Sequence, residues 1–155
     1  MVHFAKAAKH LLFTAAAILA IIWCESIAQS AAPLISLSIN GHRIEAEVAA
    51  NTEARRVGLM KRPSLPADRG MLFIFPDAGA HCMWMESTLI PLSVAFIDDT
   101  FRIINIADMQ PGSQSYHCAA GPAWYALETN AGWYKLNGIG PGDRVDGLHM
   151  APPVE

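Results

Sequence analysis

Between residues 34 and 148 the apolar positions come in short bursts divided by turn residues. Leu34 to Ile39 (LISLSI) alternates apolar and polar side chains, the period-two pattern of a half-buried strand. Asn40-Gly41 follows as a two-residue hairpin signal, and Arg43 to Val48 resumes the alternation with Ile44, Ala46 and Val48 on one face. Asn51 or Thr52 can cap a short helix with Glu53 in its first turn and Ala54, Val57 and Met60 as its apolar stripe. Pro63 and Pro66 forbid its continuation. Further strands are expected at Met71 to Phe75, Cys82 to Met85, Val94 to Asp98, Arg102 to Ala107 and Trp124 to Thr129. A second helix is expected from Asn130 through Trp133 and Leu136 to the stop at Asn137-Gly138. The Pro141-Gly142-Asp143 turn then leads to a last strand over Arg144 to Leu148. Such a series predicts an α+β domain whose strands are mostly antiparallel, since their links look too short for crossover helices. A curved or barrel-like sheet carrying two short helices removes most of the exposed strand edges.

The pattern before residue 30 is of another kind. Lys6 and Lys9 precede Leu11 to Trp23 (LLFTAAAILAIIW), which carries no charge until Glu25. A cationic head, a short apolar core and then small residues are the order of a secretory signal peptide. The apolar run falls short of the roughly 20 residues that cross a bilayer. Small residues fit cutting after Ala28 or after Ser30; cutting after Ala28 makes residues 1–28 the signal peptide and residues 29–155 a single compact domain. The protein is then periplasmic or secreted, meeting the membrane only during export.

Composition sharpens this division. Of 155 residues, 52% are hydrophobic and 16% charged, which excludes a disordered chain. The formal net charge is −3 and becomes −4 after cutting, with nine cations against thirteen anions, so no nucleic acid is expected as a partner. Cys24 leaves with the signal segment, and Cys82 and Cys118 remain as an even pair in an oxidising compartment, candidates for one disulfide.

The ordered string Arg56-Val57-Gly58-Leu59-Met60-Lys61-Arg62, Gly70-Met71-Leu72-Phe73-Ile74-Phe75, Met83-Trp84-Met85 and Leu89-Ile90-Pro91-Leu92 carries a resemblance. Together with Phe96-Ile97-Asp98, Leu127-Glu128 and Gly138-Ile139-Gly140-Pro141-Gly142-Asp143, it closely resembles the bacterial and archaeal domain of unknown function 192 family. The resemblance covers about residues 34 to 148. It implies a compact α+β domain with a barrel-like sheet, often in exported proteins, and no established activity. Two departures stand out: Glu86-Ser87-Thr88 replaces the family's usual Lys-Asn-Thr, and Pro91-Leu92-Ser93 replaces Pro-Leu-Asp.

Candidate chemistry is sparse. There is no P-loop, GxGxxG, GxSxG or paired-cysteine zinc motif, and no cofactor is expected. Arg55, Arg56, Lys61, Arg62 and Arg69 concentrate five of the nine mature cations in fifteen residues. They read either as surface charge near a helix C-terminus or as a site for a carboxylate, phosphate or glycan. Glu128 sits in an apolar stretch, where a carboxylate needs a donor; an arginine from residues 55 to 69 is the structural expectation, and a raised-pKa acid in a cleft the functional one. The ligand-binding candidates are therefore Arg55, Arg56, Arg62, Trp84 and Glu128. His81, Met83 and Met85 share a strand face and form a weaker Cu(I) alternative, against the plainer reading of methionines as core filler. The leading function is a non-enzymatic ligand-binding or accessory domain of the cell envelope, its partner a small molecule or envelope component. The alternatives are an envelope hydrolase with Glu128 or Asp98 as base, and an interaction module presenting Trp124, Trp133 or Tyr134.

Overall fold

A computed structural model describes residues 33–154; the expected signal segment lies outside the described residues. β1 (Leu34–Ile39) and β2 (His42–Ala49) pair antiparallel, with Leu37 opposite Ile44. Asn40 and Gly41 both take positive φ, 51° and 84°, which the tight turn requires and which asparagine and glycine tolerate. α1 (Thr52–Val57) starts at Asn51, whose side chain accepts a hydrogen bond from the Ala54 amide at 2.8 Å.

β3 (Arg69–Gly79) then runs parallel to β2. This pair corrects the expectation that the links were too short for a crossover. The nineteen residues from 50 to 68, carrying α1, exceed the dozen or so that a parallel connection needs. β5 (Leu92–Ile97), β6 (Ile103–Met109) and β8 (Ala123–Asn130) complete the large sheet with the short β9 (Val145–Asp146), in the order β6-β5-β8-β3-β2-β1-β9. It curls into a half-barrel. Just outside its two edge strands Arg102 bridges Arg144, and Val145 donates its amide to the Phe101 carbonyl at 2.8 Å. The expected strand over Cys82 to Met85 shortens to β4 (Cys82–Met83), which pairs with β7 (His117–Cys118), a strand the periodicity did not announce. The second helix, α2 (Trp133–Leu136), is a single turn, because β8 continues through Asn130, and Leu148–Met150 closes the fold as a 3-10 turn rather than a strand.

β3, β5 and β8 are buried on both faces, and all six residues of β5 are buried. One face, with Leu37, Ile44, Leu72, Ala95 and Leu127, forms the core within the curl, where the Tyr134 hydroxyl donates to the Leu127 carbonyl at 2.7 Å. The other face presents Met71, Phe73, Val94, Phe96 and Ala126 to Leu59, Leu65, Met83, Met85 and Ile90. Glu128 belongs to this second face, since it lies opposite Met71 on one side and Val94 on the other. Gly70 lets the backbones come together there: a Cβ on it would stand 2.6 Å from the Glu128 carbonyl oxygen.

Candidate functional site

A narrow cleft opens where α1 and the loop after it lie over the second face. Its walls include Arg55, Arg56, Gly58, Leu59, Phe73, Met83, Trp84, Thr88 and Glu128. Four of the five sequence candidates thus meet in one place. Arg62 is the exception: it lies outside the cleft in a bidentate pair with Glu47, at 2.5 and 2.6 Å. Arg56 makes a similar but exposed pair with Glu53.

Glu128 is only 4% exposed and, among the described residues, has no ion-pair partner. The expected arginine therefore does not reach it. Arg55, which comes nearest in role, turns its guanidinium to backbone carbonyls, with Nη1 donating to Ala50 at 2.6 Å and Ile74 at 3.0 Å. Burial alone pushes the Glu128 carboxyl up to about 8, so it keeps its proton at neutral pH and can donate a hydrogen bond. The cleft's cavity volume is about 30 Å³, room for one compact group and far below the several hundred Å³ of a typical small-molecule site.

The disulfide shapes the cleft's outer wall. Cys82 and Cys118 are directly opposed across β4 and β7 and are bonded. This ladder fixes Met83, 9% exposed, against the second core and leaves Trp84, 41% exposed, on the rim. There Trp84 lies parallel to the exposed Tyr116, with planes 5° apart and ring centres at 6.2 Å. Tyr116 and Thr88 escaped the sequence reading. Thr88 stood in the quoted motif but carried no signal of burial, whereas Tyr116 joins the site only because β7 returns to β4.

The remaining candidates are placed elsewhere. His81 stacks on Phe75 with ring centres 3.8 Å apart, and its Nε2 lies 2.9 Å from the Asp77 carbonyl oxygen, while Met83 and Met85 pack in the second core. Among the described residues no three His, Cys, Asp or Glu side chains converge as a metal site would require. Asp98 is occupied in its turn: partial burial would raise its carboxyl, but the bonds it accepts from the Arg102 amide and the Thr100 hydroxyl and amide, with the Arg102 charge, hold it below the usual range. It is a poor base. Tyr134 is buried; Trp133, half-buried, packs edge-on against it and borders a surface hollow with the exposed Leu136, and Trp124, 36% exposed, borders a separate surface hollow with Asp98 and Asp99.

No curated protein matches the sequence. Solved structures do, among them two bacterial proteins. A Sinorhizobium meliloti protein described as a "putative transcription regulator" is 32% identical, with 77% of this chain and 98% of that one covered at a TM-score of 0.74. A Novosphingobium aromaticivorans protein of unknown function is also 32% identical, covering 77% and 89% of the two chains at a TM-score of 0.69. The family model DUF192, described as Uncharacterized ACR, matches residues 35–147, a span that contains every residue of the cleft, and the chain belongs to that family.

Proposed function

We propose that the protein is an exported, non-catalytic ligand-binding domain of the cell envelope, and that the Glu128 cleft is where it holds its ligand. One observation carries the reading: a buried carboxyl without an ionic partner among the described residues lines an open cleft beside Arg55, Arg56 and Trp84. Stability alone does not favour such a group, because burying it costs several kcal/mol that a leucine would avoid. Export is supported by the signal-like residues 1–28 and by the Cys82–Cys118 disulfide, a bond that persists in oxidising compartments. DNA contact, which the Sinorhizobium relative's description would suggest, is poorly supported. The mature chain is net negative, and two of the five clustered cations are neutralised by Glu47 and Glu53.

Native mass spectrometry of protein purified from its own envelope tests this. A retained small molecule should be lost in E128A and W84A. Retention in both folded variants, or a wild-type protein that carries nothing, would refute it. The hydrolase reading keeps one supporting observation, a carboxyl that holds its proton at neutral pH and so suits an acid role. Among the described residues, however, the cleft walls offer Thr88 as their one hydroxyl and no histidine or cysteine to activate it. Turnover of envelope polymers that disappears in E128Q would favour the enzyme.

A further inference from the structure

The charges around the cleft do not balance, and the imbalance points to the group it receives. Arg56 is neutralised by Glu53. Arg55 has no carboxylate partner among the described residues: Nη1 serves the Ala50 and Ile74 carbonyls and Nη2 donates to the Thr52 hydroxyl at 3.3 Å. Of its five N–H groups, the one on Nε and one on Nη2 remain free, and its positive charge is uncompensated. Thr88, 5% exposed, and Glu128 are both buried in the walls of the same cleft.

We propose that the cleft takes the carboxylate end of an extended ligand, Arg55 supplying the opposing charge and the O–H groups of Thr88 and Glu128 supplying hydrogen bonds. This rests on the cleft being the binding site. The cavity of about 30 Å³ accommodates a group of carboxylate size, and the rest of the ligand leaves past the exposed Trp84 and Tyr116 rings. A compact ammonium group would fit as well by size, but it would face Arg55 as a like charge and find Glu128 neutral.

The arrangement makes binding depend on pH. The charged groups lining the cleft with Glu128 are Arg55 and Arg56 from α1; the Tyr134 phenol lies across β8 and burial holds it in its neutral form. Above about pH 8 Glu128 ionises, ceases to donate and repels a carboxylate. Binding is then strongest below that value and is lost above it.

Calorimetric titration of the mature protein with N-acetylglycine and, separately, methylammonium tests the proposal. N-acetylglycine should bind and methylammonium should not. Its association should weaken about tenfold from pH 7 to pH 9, the change in the protonated fraction of a group titrating near 8. Binding should be lost in R55Q. Because Arg55 also ties α1 to β3, E128Q supplies an independent arm: the pH step should vanish there. Binding of methylammonium with exclusion of N-acetylglycine would overturn the ligand class while leaving the cleft a binding site. Failure of both probes with folded protein, or a pH step that survives in E128Q, also overturns it. The wider reading fails only if the native mass experiment finds no ligand, or one retained in both folded E128A and W84A.

Discussion

Glu128 shows how one side chain can oppose the fold that holds it. Its carboxyl titrates near 4.5 when free and near 8 in the fold, so the folded state binds more protons between those values. Stability attributable to this group is therefore highest below about pH 4.5 and falls as pH rises to about 8, by an amount on the order of a few kcal/mol. Urea unfolding should find E128Q gaining on wild type as pH is raised from 5 to 8; a constant gap would show that the carboxyl is solvated. Glu47 behaves oppositely, since its hydrogen bonds to Arg62 hold its carboxyl below the usual range. Its contribution is present above the ordinary carboxylate pKa and is lost as pH falls through the lowered value. The pair is about one-quarter to one-third exposed, so a double-mutant cycle with E47Q and R62M should yield only about 1 kcal/mol of coupling.

At the scale of elements, two local devices position the cleft. Asn51 fastens the start of α1, and N51A should cost about 1 kcal/mol in chemical denaturation. The cap was legible because it depends on residues three apart. The β4–β7 ladder was not, since a two-residue strand has no period to detect and its partner lies 36 residues away. Both cysteines are nevertheless expected as a pair from their number and the expected signal segment. Replacing both with alanine should lower stability by roughly 3–4 kcal/mol on the chain-entropy account, read as a shift in the urea midpoint. The same change should loosen Trp84, visible as a red shift of its fluorescence, because Met83 and Trp84 follow Cys82 directly.

Over the whole molecule, the close approach of β3 to β8 joins the sheet to the site. G70A should cost about 2–3 kcal/mol and displace Glu128, because the added Cβ meets backbone rather than a flexible side chain. A melting temperature unchanged from wild type would show that the strands can part without loss.

Alternation in LISLSI, the Asn40-Gly41 turn, the capped α1 and the apolar runs of β3, β5 and β8 all stood in the sequence, because each depends on neighbours a few residues apart. So did the unusual position of Glu128 in an apolar stretch. What only the tertiary structure decided was how those elements meet. Residues 50 to 68 cross over to make β2 and β3 parallel, the sheet curls until Arg102 meets Arg144, and Arg62 is drawn away to Glu47 while Arg55 and Arg56 join Glu128. Periodicity reports which face of a strand is apolar, but which arginine reaches which carboxylate depends on the packing of segments far apart in the chain. For that reason the sequence could nominate Glu128 and the clustered arginines, and only the fold could leave the carboxyl in a cleft with no ionic partner among the described residues.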